Sequence, residues 1–188
     1  MNMLGNGLQG ADHDKDALSV QEAQLSTYRR VGAPEEHILT MLTNLANSYA
    51  NMGRLEQALQ MDREVYRGRM KLDGEEDEST LRAANNFANS LHRLQHFEEA
   101  RSLMRKTLPV ARRVLGESNI LTLKMRKTYA RALQEDPAAT RGDLREAVTA
   151  LEDLAPTARR VLGIAHPVTK IIDFQLRSAR ATLRAREE

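Results

Sequence analysis

The chain repeats itself at a nearly fixed spacing, and that constrains its fold more than any other feature. Asn44-Leu45-Ala46-Asn47-Ser48-Tyr49 lies 42 residues before Asn86-Phe87-Ala88-Asn89-Ser90-Leu91. The same offset carries Glu56 to Glu98, Ala58 to Ala100, Gly74 to Gly116, Thr80-Leu81 to Thr122-Leu123, Ala88 to Ala130 and Leu91 to Leu133. It then lengthens to 47: Glu99-Ala100 maps to Glu146-Ala147, Pro109 to Pro156, and Ala111-Arg112-Arg113-Val114-Leu115-Gly116 to Ala158-Arg159-Arg160-Val161-Leu162-Gly163. Five extra residues therefore lie in the Pro- and Gly-bearing segment 134–142, which reads as a longer loop. A period of this size means stacked supersecondary units, each unable to bury its apolar face alone.

Each unit reads as two helices. Leu42, Leu45, Ala46 and Tyr49 follow the i, i+3, i+4, i+7 pattern of one helical face. Gly53-Arg54 interrupts it, and Leu55, Ala58, Met61 and Val65 begin a second face that runs to about Leu72. The next unit repeats this with Phe87, Ala88, Leu91 and Leu94, then Phe97, Ala100, Leu103, Met104 and Leu108. Gly74, Gly116 and Gly163 close the units, as glycine does just past a helix end. Pro34-Glu35-Glu36 opens a helix with the Pro and acids that suit its dipole, Ser79 and Ser118 are candidate N-caps, and Pro167 opens the last helix. The small residues Ala46, Ala58, Ala88, Ala100, Ala130 and Ala147 mark points where paired helices come close.

These signals predict an all-α chain of antiparallel helix pairs. Repeats are expected at 34–74, 75–116 and 117–163, with a closing helix at 165–186. An unpaired helix is expected at 17–31, and the Gly-bearing, acidic segment 1–16 is expected to be disordered. Aromatics make up only 4% of the chain, so Leu, Ala and Met must build the core, which favours helices over strands.

The string from Asn44 to Leu59, with its Gly-Arg-x-Glu-x-Ala turn, resembles a tetratricopeptide repeat. The 42-residue period and the endings at 112–116 and 159–167 resemble the subclass found in kinesin light chains. The resemblance covers about residues 17–186 and implies a right-handed superhelix of stacked helix pairs. A HEAT or armadillo-like solenoid has an overlapping period and is the alternative. Two positions depart from the pattern: Arg126 stands where the signature has a large apolar residue, and Asp62 where an aromatic is usual. In the closing helix Asp173 and Arg177 stand at core-type slots, which suits a polar outward face.

The resemblance implies that the first helix of each unit lines a concave surface. Its groove slots fall on Thr40, Thr43, Asn47 and Asn51, then Arg82, Asn85, Asn89, His92 and Arg93, then Lys124, Lys127, Arg131 and Gln134. Amides can bond an extended peptide backbone, and Arg and Lys can pair with carboxylates. The expected peptide-binding residues are Asn47, Asn51, Arg82, Asn85, Asn89, Arg93, Lys124, Lys127 and Arg131. The expected function is a non-enzymatic adaptor or scaffold holding an acidic, extended segment, similar to the cargo-binding repeats of kinesin light chains. The alternative is an array fragment that self-associates through helix 17–31.

Charge is unevenly spread. Residues 1–80 hold 8 Lys/Arg against 14 Asp/Glu, and residues 81–188 hold 20 against 12. The basic half raises nucleic acid as a partner, but the equivalent slots Asn47, Asn89 and Arg131 form no code and no stacking platform accompanies them. His92 and His96 have zinc-like spacing but lack the intervening Glu, and His96 sits at a turn, so no metal is expected. No cofactor is expected either. The absence of Cys excludes disulfides and a thiol nucleophile, and no Ser/His/Asp set or phosphate loop stands out. The longest uncharged run, from Ile38 to Gly53, is too short and too polar to span a bilayer, so a cytoplasmic protein is expected.

Overall fold

A computed structural model describes residues 17–187, so the disorder expected for 1–16 lies outside the described residues. Those residues form helices and turns only: α1 (17–30), α2 (Glu35–Asn51), α3 (Leu55–Leu72), α4 (Glu78–Arg93), α5 (Phe97–Leu115), α6 (Ile120–Gln134), α7 (Arg141–Leu162) and α8 (Pro167–Ala185). The chain divides into two compact units, Met1–Gly74 and Glu75–Glu188.

In the first unit α2 buries Leu42, Leu45, Ala46 and Tyr49, the helical face read from the sequence, and Leu39 one turn earlier. It packs against α3, which buries Ala58, Leu59, Asp62 and Val65. The two helices approach closely at Gly68, where an added Cβ would collide with the Leu39 side chain. Leu18 and Leu25 bury the inner face of α1. Polar links fix its register: Ser48 donates to Gln21 Oε1 at 2.8 Å, Tyr49 donates to the Glu22 carboxylate, and Arg29 pairs with Glu64 at 2.6 Å.

In the second unit α4 to α8 pack each on the next, and α4 also touches α6, as α6 touches α8. The first helices of successive pairs therefore form a continuous row. Ala88, Ala100, Ala130 and Ala147 are all fully buried, as close helix approach requires. The change of offset to 47 is visible in one bond made twice: Thr122 donates to the carbonyl of Ala111, and Thr169 to that of Ala158, each at 3.4 Å. The five-residue insertion is held in place. Thr140 and Asp143 form a capping box at the start of α7, and the Arg101 guanidinium reaches Asp136 at 3.3 Å and Asp143 at 3.4 Å.

The N-caps differ from those expected. Asp77, not Ser79, caps α4, its carboxylate accepting the Ser79 N–H at 2.7 Å. Asn119, not Ser118, caps α6 in the same way through the Leu121 N–H, and His166 Nδ1 accepts the Val168 N–H at α8. The three caps occupy one slot of the repeat. An acceptor two residues ahead of a free helical N–H is what the slot demands, and Asp, Asn and His each supply it. The turn between paired helices also needs a left-handed residue. Gly53 fills it with φ +76°, and Gln95, 42 residues on, adopts φ +62° without the freedom of glycine.

Candidate peptide-binding face

The first helices of the second unit are joined by a ladder of side chains. Thr128 donates to Asn85 Oδ1 at 3.1 Å, Arg131 to Asn89 Oδ1 at 2.9 Å, and Gln134 to Ser178 at 2.9 Å. His92 Nε2 lies 3.0 Å from Glu135. These links run in one direction along α4 and α6, so the two helices are parallel and in register.

The ladder changes what several expected site residues are free to do. Asn85 is buried, with its amide oxygen already used. Asn89 donates to the Asn85 carbonyl and accepts from Arg131, so it braces the cation rather than standing open. Arg82 is exposed and forms an ion pair with Glu78, one turn back. Arg93 is exposed at the end of α4. His92 is directed to Glu135 and packs edge-on against Phe97, while His96 pairs with Glu99 at 3.3 Å, so the two histidines serve separate partners.

Lys124, Lys127 and Arg131 follow one another along a single face of α6, at the i, i+3, i+7 spacing. Burial holds the Lys127 amine below its ordinary value, and the Arg131 and Lys124 charges push it the same way. Arg131 is likewise lowered, first by burial and also by Arg93, with Glu135 opposing. The His92 hydrogen bond holds the Glu135 carboxyl below the usual range, against the effect of its burial. The face thus concentrates positive charge that is costly to keep without an anion.

In the first unit Asn47 and Asn51 are exposed on α2. Thr40 and Thr43, on the same helix, return their hydroxyls to the carbonyls of Glu36 and Leu39. That unit's groove slots are amide-rich and carry no cation.

Two residues of this face went unread in the sequence. The offset that equates Thr122 with Thr169 also equates Lys124 with Ile171, Lys127 with Phe174 and Arg131 with Ser178. Ile171 is 44% exposed and Phe174 64%, so α8 presents an apolar surface where α6 presents cations. The signal was the 47-residue offset itself, applied to the groove slots as well as to the unit endings. The slots Asp173 and Arg177 are polar on another face of α8: Asp173 pairs with Arg159 at 2.7 Å, and Arg177 is exposed. Arg126, the other departure from pattern, is buried and reaches Glu117 at 3.1 Å. Burial lowers it, and Glu117 offsets part of that.

Residues 37–113 match the family model of the tetratricopeptide repeat. That segment, from α2 to α5, carries the tetratricopeptide repeat. Its fold is similar to that of a Podosopora anserina protein described as kinesin light chain nearly identical TPR-like repeats. The TM-score is 0.75 at 21% identity, covering 98% of this chain and 86% of that one. A single-substitution form of that protein gives 0.77 at 20% identity, with 98% and 85% covered. BtubC (BKLC) from P. vanneervenii is more distant, with TM-score 0.56, 15% identity, and 95% and 76% covered. No curated protein matches the chain. The described residues are all-α and resemble kinesin-light-chain repeats in fold. No described helix is long and apolar enough to cross a membrane.

Proposed function

We propose that this tetratricopeptide array is a non-enzymatic adaptor or scaffold that binds an extended acidic segment of a partner protein on the first-helix face of its second unit. The observation that carries the reading is the row Lys124, Lys127 and Arg131. It is partly buried, mutually repelling, and braced from behind by Asn89 rather than neutralised. Carboxylates of an extended chain would relieve that repulsion through charge-assisted hydrogen bonds. Arg82, paired with Glu78, and Arg93 stand exposed along α4 beside that row. Within the first unit by itself, Asn47 and Asn51 offer exposed amides on α2 that could bond a peptide backbone.

The test is fluorescence anisotropy with labelled acidic peptides at low and physiological salt, run beside Lys124→Glu/Lys127→Glu. Saturable binding that weakens with salt and is lost in the variant supports the site. Binding that the variant retains places the acidic segment elsewhere.

A second reading, self-association, draws support from α1. Val20 (57%), Tyr28 (38%) and Val31 (67%) are exposed around it. Sedimentation velocity over a wide concentration range separates the two readings: mass that rises with concentration and falls in Val20→Glu/Val31→Glu favours self-association.

A further inference from the structure

The peptide-binding face has two chemistries side by side, and together they select a narrower partner than an acidic peptide. On α6 three cations share one face, with Lys127 between Lys124 and Arg131. Arg131 donates through Nη2 to Asn89, while its buried Nε–H has no acceptor. Glu135, the nearest carboxylate along the helix, is held by His92. The cluster therefore presents several positive charges around one point. A single carboxylate brings one negative charge. A phosphate monoester brings about −1.5 to −2 at neutral pH, and three strong acceptor oxygens. Next to this cluster, at the equivalent positions of α8, lie Ile171 and Phe174, both exposed. The register is fixed by the bond between Gln134 and Ser178 and by the repeated Thr122 and Thr169 bonds.

We infer that the second unit recognises a phosphorylated segment of a partner protein, with a phosphoserine or phosphothreonine on Lys124, Lys127 and Arg131 and an apolar side chain on Ile171 and Phe174. This rests on the proposed peptide-binding function and adds a switch to it, since phosphorylation of the partner turns binding on. The spacing follows from geometry. Packed helices lie about 8–10 Å apart, and an extended chain covers about 3.3 Å per residue. The apolar residue therefore lies about three positions from the phosphoresidue.

The experiment uses the full chain and four labelled peptides in anisotropy titrations. One has phosphoserine flanked by Leu three residues away on both sides. The second carries Glu for phosphoserine, the third unmodified serine, and the fourth phosphoserine with both Leu changed to Ala. The expected result is binding of the first peptide about tenfold or more tighter than the second, none by the third, and weakening by several-fold in the fourth. Lys124→Gln/Lys127→Gln should abolish the preference for phosphoserine over Glu. Phe174→Ala should erase the difference between the Leu and Ala peptides while leaving that preference. Both variants remove exposed or electrostatically unfavourable groups and keep the core.

Equal or tighter binding of the Glu peptide overturns the phosphate assignment and leaves the acidic-peptide reading standing. Failure of the first two peptides alike overturns both. Equal binding of the phosphoserine peptide and of a single-stranded oligonucleotide of matched charge overturns the peptide assignment in favour of a general polyanion site.

Discussion

Helices α6 and α8 occupy equivalent places in the second unit, and they agree on one side and differ on another. Their buried faces match: Thr122 with Thr169, Met125 with Ile172, and Ala132 with Ala179 are all 0% exposed. Their open faces do not. Lys124 and Lys127 on α6 stand where α8 has Ile171 and Phe174. The repeat thus fixes what packs between helices and leaves the row facing outward free to diversify. Stability lives on the shared positions and the proposed recognition on the divergent ones, so neighbouring residues on one helix should respond to mutation very differently.

The sharpest break in that comparison is on α8 itself. Ile172→Ala should cost about 2–5 kcal/mol in urea unfolding, because it empties a filled site. Phe174→Ala, two residues on, should cost less than about 0.5 kcal/mol. Comparable costs at both positions would erase the distinction between packing and recognition faces. On α6 the prediction is inverted. Lys127→Met should raise the melting temperature at neutral pH while weakening acidic-peptide binding by about tenfold. The folded state holds the Lys127 pKa below its unfolded value, so its charge destabilises the fold below the folded pKa. That penalty should fade as pH rises toward the unfolded value, and the stability gain of the Met variant should shrink with it.

A smaller effect belongs to the turns. Gln95→Gly should stabilise the second unit by about 1 kcal/mol, and Gly53→Ala should destabilise the first by a similar amount, both read by chemical denaturation. The smallest effect concerns Glu135, whose folded pKa lies below its unfolded one. Its contribution is present above the unfolded value, near about pH 4.3, and is lost as pH falls through the folded value. Glu135→Gln should therefore flatten the acid limb of the stability profile, and an unchanged limb would mean the His92 contact adds nothing.

Much of this was legible in the sequence. The offsets 42 and 47 placed the helix pairs, because buried alanines such as Ala88 and Ala130 cannot vary without pushing helices apart. The caps were harder to read. Ser79 and Ser118 resemble caps locally, but Asp77, Asn119 and His166 share a slot only once the helix starts are known. The pairing of Asn89 with Arg131 was not legible, since it depends on how parallel helices align across the row. Ile171 and Phe174 were hidden by reading the last helix only for its polar outward slots. Asp173 and Arg177 are indeed polar, yet they lie on a different face from the one equivalent to Lys124 and Lys127.

An amide chemical-shift titration of the isotopically labelled chain with an acidic peptide would show whether the α6 row is where a partner binds. The largest shifts should fall along residues 124–134, with smaller ones at 82–93 and at 171–178, and should shrink with added salt. Shifts concentrated instead on the exposed faces of α5 and α7, around Lys106 or Arg160, would contradict that placement.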